Sequence, residues 1–413
     1  MQTSLLKMLV NDIHRYDAVK KYQYKGGDSS LIYKYILSPL AGWLVDAVVP
    51  SWMAPNVVTL IGLFFSLLAL MTVVIFNNKL DSNGPTWIPL VHAVCIFIYQ
   101  TLDNMDGKQA RKTKTSSPLG LLFDHGCDAV NAVMNVIAIN AIFGAGWNMK
   151  VFFMIWFGLV VFFFQTWEEY YVGEMILPII NGPTEGLLLI CICDLLTYFN
   201  GYDWWHEPKA TFVYSLIDPY KLYIPLNQEV LEIFYTRFGL VNGFVLLSTI
   251  VTVITQIINV CRHLMKTKEH TVSNALLNLL PITLLWICSF YYCYNNPFAL
   301  GDYPYTMIIF IGSVWVDLTT HFMEMHICHN SINSLARLNI WLLVVLVGVN
   351  IFLSVDKKTE AYILIALSSI SLHNTCLNVY YLLNNVAIVL NLNLFTIGQR
   401  EVVTDRRKRT KSR

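Results

Sequence analysis

Runs of about 20 mostly apolar residues, the length a helix needs to cross a bilayer, recur along the chain. Ten of them begin near Asn56, Trp87, Leu121, Val151, Glu174, Gly239, Asn274, Tyr305, Leu338 and Ala361. The run near Glu174 is interrupted by Pro178, Gly182 and Pro183. Residues 29–50 are apolar but broken by Pro39, and read as an interfacial amphipathic helix, with a full span as the weaker alternative. The stretch 200–237 is too polar to span, and its Trp, Tyr and Pro content suits a loop at the membrane surface. The pattern predicts an all-α, polytopic membrane protein with about ten transmembrane helices.

Composition supports that reading. Charged residues make up 13% of the chain and hydrophobic residues 55%, with a mean hydropathy of +0.52. Soluble domains carry about 25% charged residues, so a soluble enzyme is excluded. The net charge of +1 gives no reason to expect a nucleic-acid partner. The opening MQTSLLKMLVNDIHRYDAVKKY has a short apolar run broken at once by charge, unlike a signal peptide, so the first span is expected to act as the targeting signal. The nine cysteines are scattered, without a Cys-x-x-Cys pair, and are expected to be reduced.

Ten spans place both termini on one side. That side would hold 21 of the 28 Lys and Arg residues, leaving Lys79, Lys150, Lys209, Lys221, Arg237, Lys357 and Lys358 opposite. The bias marks the terminal side as cytosolic, together with the loop after the second span. The tail RRKRTKSR reads as a topology determinant near anionic lipid.

That loop and its flanks read YQTLDNMDGKQARKTKTSSPLGLLFDHGCDAV. Asp103 and Asp106 close the second helix; Asp124 and Asp128 open the third. Spacings of three and four put each pair on one helical face, and a short hairpin can bring the four together. Carboxylates at a membrane boundary are costly and repel each other, so a positive partner is required. Hard oxygen ligands suit Mg²⁺ or Mn²⁺, and a pair of ions fits four carboxylates. Gly107 permits close backbone approach, Arg111 offers a planar fork for phosphate, and Lys108, Lys112 and Lys114 add positive potential. Gly120 leaves room where the third helix begins.

Asp103-x2-Asp106-Gly107-x2-Ala110-Arg111-x8-Gly120-x3-Asp124-x3-Asp128 carries every fixed position of the CDP-alcohol phosphotransferase signature, and the chain resembles that family. DGKQAR, SSPLG and LFDHGCD, with APNVVTL upstream and TWEEYY and LPIINGPTEG downstream, are similar to its eukaryotic choline and ethanolamine phosphotransferase branch, the last segment most of all to plant and fungal aminoalcohol phosphotransferases. The likeness covers roughly residues 14–190. Leu121 departs from the Glu of many relatives, outside the fixed signature.

The resemblance implies a helical bundle with a cavity open to the cytosol and sideways to the bilayer, and a homodimer. It implies Asp103, Asp106 and Asp124 as metal ligands, with Asp128 nearest the acceptor hydroxyl as ligand or base. Gly107, Arg111, Gly120 and Asn56 would surround the CDP part; Asn56, after Pro55, also reads simply as a helix cap. The expected organisation is a cytosolic segment 1–55 bearing the interfacial helix, a catalytic part 56–200 with the signature at 103–128, further spans over 201–395, and a basic cytosolic tail 396–413. The expected location is the endoplasmic reticulum membrane, with the Golgi as the alternative.

The implied reaction joins CDP-choline or CDP-ethanolamine to diacylglycerol drawn from the surrounding membrane lipids. The lipid hydroxyl attacks the phosphorus next to the amino alcohol and CMP leaves. Asp128 and His125 both stand as bases; since neighbouring helix positions point about 100° apart, only one of Asp124 and His125 can face the metal. Glu168 and Glu169, flanked by Trp167, Tyr170 and Tyr171, could hold the cationic head group; Glu168 is taken as the candidate, although the plain end of a helix explains both. His321, Glu324, His326 and His329 lack a metal-site spacing and read as interfacial residues. Other readings are a family member using another alcohol, a transporter, or an inactive scaffold. The helix count argues against the first, acids confined to one face and no repeat against the second, and the intact signature against the third.

Overall fold

The structure, a computed structural model, describes residues 16–207, 236–353 and 355–398. Most of the 200–237 loop, nearly all of the basic tail and the whole segment ahead of Tyr16 lie outside the described residues. The fold is helical. Among the described residues the one sheet is a parallel pair, β1 (Gly26–Asp28) against β2 (Met175–Leu177), with Gly26 opposite Met175.

Ten helical segments coincide with the ten apolar runs, but only seven are long and apolar enough to cross a membrane, so the expected count of about ten is not confirmed. The seven are α2 (Pro55–Phe76), α5 (Met149–Val172), α6 (Leu187–Asn200, extended by a π turn at Gly182–Gly186), α7 (Arg237–Thr267), the tandem α8 (Val272–Leu277) and α9 (Leu280–Asn295), α11 (Pro304–Cys328) and α13 (Lys357–Leu390). The other three fail for identifiable reasons. The helix α3 (Ile88–Thr113) ends in Asp103, Asp106, Lys108, Arg111 and Lys112; α4 (Pro118–Ile142) carries Asp124, Asp128 and three asparagines; α12 (Leu338–Phe352) has 15 residues. A short α10 (Pro297–Gly301) joins α9 to α11.

Helix α11 is the axis of the bundle. Every residue from Phe310 to Cys328 is buried. Its apolar side joins the main core with Phe152, Phe163 and Leu159 of α5. Its polar side is tied to α12 and α13: Ser313 meets Ser371 at 2.7 Å, Thr375 donates to the Ser313 carbonyl at 2.9 Å, and Asn378 donates to Asp317 at 2.9 Å. The Arg337 guanidinium binds Asp317 with two nitrogens. Buried polar groups need such partners, and here they lock three helices in register.

Residues 29–50 form a helix lying outside the bundle. A π turn (Tyr33–Leu37) leads into α1 (Ser38–Ala47), whose Ala41 and Val45 pack with Val58 and Met105, while Tyr35, Ile36, Trp43, Val48 and Trp52 stay exposed. Lys108 reaches Ser38 at 2.8 Å and Lys112 reaches the Val45 carbonyl at 2.9 Å, fastening α1 to α3. Exposed aromatics on one side suit the membrane interface. All nine cysteines are free thiols.

Candidate active site

The site is a product of one hairpin. Helix α3 stops at Lys114, which takes the left-handed conformation (φ +58°). Its amide bonds Arg111 O at 3.2 Å, and the Thr115 amide bonds Ala110 O at 2.9 Å, the paired closure that ends helices. Ser117 then caps α4 by accepting from the Gly120 amide at 3.2 Å, with Pro118 in the first turn. Two antiparallel helices therefore meet through a four-residue connection, residues 114–117, and the acid-bearing ends face each other.

One carboxylate oxygen from each of Asp103, Asp106 and Asp124 lies within 4.8 Å of the other two. Asp103 also stands within hydrogen-bonding reach of Asp128. Asp128 accepts the Tyr99 hydroxyl, and Asp106 accepts the Thr59 hydroxyl from α2. Asp124 Oδ1 is buried with no hydrogen-bond partner. Like charges at this separation repel by on the order of 3 kcal/mol per pair at an effective dielectric of about 20. An orphaned carboxylate oxygen pointing into three more acids is what a hard divalent cation fits. The donor set is all oxygen, so the residues present suit a metal of that class.

The other predicted residues surround the acids. A side chain added at Gly120 would touch Asn56 Oδ1 at 3.6 Å, and one at Gly107 would touch Arg111 Nη1 at 3.5 Å, so these four form two neighbouring pairs beside the cluster. The cap role weighed for Asn56 is not seen: Ala54 occupies the cap, and Asn56 Nδ2 instead donates to Leu394 O at 2.9 Å. Lys108 and Lys112 are engaged with α1.

His125 lies beside the acids with its ring toward the N-terminal segment. Its ring meets Tyr24 edge-on, with centroids 6.1 Å apart, and it lines a small cavity with Glu169 and His326. Glu168 and Glu169 part company: Glu168 accepts from Asn259 at 2.9 Å on the α7 side, whereas Glu169 is buried and meets His326 Nε2 at 3.8 Å. Trp167 and Tyr171 are likewise inside the core, bonded to Ala275 O and Asn278.

Several contributors went unnoticed in the sequence. Tyr99 precedes Asp103 by four residues and Asp106 by seven, which places all three on one face. Thr59 follows Asn56 by three on an otherwise apolar helix. Both signals are readable from spacing. Tyr24 is not: it meets His125 from the segment just ahead of β1, about a hundred residues earlier in the chain.

Comparison with known proteins adds an independent line. Residues 52–213 match the family model described as CDP-alcohol phosphatidyltransferase. The chain is similar to choline/ethanolaminephosphotransferase 2 and choline/ethanolaminephosphotransferase 1 of Arabidopsis thaliana, each 33% identical over 316 residues, 76% of this chain and 78% of the relative. It is also similar to choline/ethanolaminephosphotransferase 1 of Saccharomyces cerevisiae, 33% identical over 226 residues, 54% of this chain and 56% of the relative.

Proposed function

The chain belongs to the CDP-alcohol phosphatidyltransferase family, and from that premise we propose that it transfers phosphocholine, phosphoethanolamine or both from the CDP-activated amino alcohol to diacylglycerol, forming the phospholipid and CMP. The observation that carries the proposal is the meeting of Asp103, Asp106 and Asp124 within 4.8 Å at the end of a two-helix hairpin. Residues 56–200 are the catalytic part in this reading.

Asp103, Asp106 and Asp124 hold the divalent cation site, with Asp128 completing it on the side of Tyr99. Bound by these aspartates, Mg²⁺ or Mn²⁺, as a pair of ions, would supply counter-charge for the diphosphate. Thr59 fixes the Asp106 carboxylate by donating to it. Arg111 and the open backbone at Gly107 take the phosphate oxygens. Asn56 and Gly120, which touch, shape the nucleotide side. The diacylglycerol hydroxyl loses its proton to Asp128 or to His125. The first sits inside the acid cluster; the second sits at its rim, close to Glu169. Full turnover in His125→Ala removes the histidine from that role, and near-normal turnover in Asp128→Asn removes the aspartate.

The multi-pass architecture places the enzyme in a membrane. We infer the endoplasmic reticulum, or else the Golgi, with the site cytosolic on the positive-inside bias and both termini on that same side if the number of crossings is even. The homodimer implied by resemblance has no support from the fold or the relatives and is not part of the proposal. Membranes containing the protein, given diacylglycerol and each labelled CDP-amino alcohol with and without EDTA, test the reading. EDTA-sensitive label transfer to lipid is expected; no transfer from either donor would refute it.

A further inference from the structure

The N-terminal segment runs as a strap across the site, held at each step. A 3₁₀ turn (Asp17–Lys21) begins beside Tyr16, whose hydroxyl donates to buried Glu324 at 2.8 Å. Tyr22 then places its hydroxyl 3.1 Å from His326 Nε2, with its ring edge-on to the imidazole. Tyr24 crosses over His125. Next, β1 pairs with β2, just past the end of α5. Beyond it, Asp28 accepts from Asn181 at 2.9 Å and from Thr184 at 2.8 Å, and Ser30 donates to Glu185. These anchors sit on α11 and on the turn into α6, so the strap links those two parts of the bundle and passes His125 between them.

Only one aromatic ring on this strap is both half-exposed and next to the acid cluster. Tyr24 is 47% exposed, and the carboxylates of Glu169 and Asp124 both act on it. Its position depends on Gly26: a Cβ there would lie 2.1 Å from the Tyr24 hydroxyl oxygen. Glycine lets the ring fold back over the strand. Tyr24 thus stands over His125, the residue after Asp124, and His125 shares a small cavity with Glu169, which is buried with its carboxylate 3.8 Å from His326.

We propose that the strap completes the donor site, with the ring of Tyr24 and the carboxylate of Glu169 forming the receptor for the cationic amino-alcohol end of the donor. This rests on the transfer reaction proposed above. Two carbons separate phosphorus-bound oxygen from nitrogen in both amino alcohols, so a phosphate bound through a cation at Asp124 would put the ammonium within the neighbouring few ångströms. A π face and a carboxylate together are suited to an alkylated cation. They discriminate by chemistry. A quaternary ammonium has no N–H and leans on the ring; a primary ammonium donates hydrogen bonds and leans on the carboxylate. Tyr22 is a positioning residue, bracing the strap on His326.

The test is KM and kcat for CDP-choline and CDP-ethanolamine, with the Kd of CDP-choline measured on purified protein. Tyr24→Leu should raise KM and Kd for CDP-choline about tenfold and KM for CDP-ethanolamine much less, with kcat nearly unchanged. Tyr24→Phe, which keeps the π face, should restore wild-type values. Glu169→Gln should hurt CDP-ethanolamine more than CDP-choline. Gly26→Ala should follow Tyr24→Leu in direction. Equal losses for both donors, or failure of Tyr24→Phe to rescue, would show that the strap only holds the fold together and overturn the proposal. If wild-type protein transfers neither donor, the proposed function falls and this inference with it. If it transfers and the donor ratios stay put in all variants, this inference alone falls.

Discussion

Two buried polar clusters lie near the same end of the bundle, and they are built on opposite principles. The hairpin of α3 and α4 gathers Asp103, Asp106, Asp124 and Asp128, all of one sign. The C-terminal half of α11 gathers Asp317, His321, Glu324 and His326, and meets them with complementary groups: Arg337 on Asp317, Tyr16 on Glu324, and Tyr22 on His326. His321 Nδ1 lies 3.5 Å from Glu324, though its ring nitrogens find no hydrogen bond. Apart from His321, the second cluster is closed by groups of opposite or complementary character from the chain itself, and it ties the N-terminal segment and α12 to the bundle axis. The first cannot be closed by the chain, because one carboxylate oxygen remains orphaned among three further acids. A cluster that needs something from outside is a site; a cluster that supplies its own partners is a joint.

That contrast can be broken by mutation. The largest effect is expected from Asp106→Asn or Asp124→Asn: phospholipid formation should fall at least about a hundredfold, because charge stabilisation at the reacting phosphate is lost, while thermal stability of the metal-free protein holds or rises as repulsion is relieved. A drop in stability with activity retained would invert the comparison. Arg337→Leu should do the reverse, costing about 3–5 kcal/mol by leaving Asp317 buried and unpaired, read as a lower Tm with KM for the donor unchanged in protein that remains folded. Tyr16→Phe, which removes one donor from Glu324, should cost about 1–3 kcal/mol and be seen in the same melts. The smallest effect is expected at Glu168→Gln. Its carboxylate meets Asn259 on the α7 side, so the choline-to-ethanolamine ratio should not change; a shifted ratio would bring Glu168 back into the site.

The acid cluster was legible because its logic is local. The four aspartates, Gly107, Arg111 and Gly120 sit within 26 consecutive residues, and helical spacing alone brings each pair to one face. The membrane architecture was legible from the apolar runs, but the number of spans was not. Helices α3 and α4 carry charged and amide side chains, which lowers the hydropathy by which a span is recognised. Elsewhere the information was distant or too fine. Tyr24 and Glu169 are 145 positions apart, and nothing in either neighbourhood announces the other. Glu168 and Glu169 differ only in helical phase, about 100°, and the aromatic residues around them pointed to neither. His326 and Glu324 on α11 read as interfacial helix-end residues, since their partners, Tyr22 and Tyr16, lie some 300 residues earlier.

The central claim is that the acidic hairpin holds divalent cation. Counting bound Mn²⁺ on the purified protein by electron paramagnetic resonance, in wild type and in the Asp103→Asn, Asp106→Asn, Asp124→Asn triple variant, addresses it without reference to turnover. Saturable binding that the triple substitution eliminates is the expected result; binding that survives the three substitutions would contradict the account.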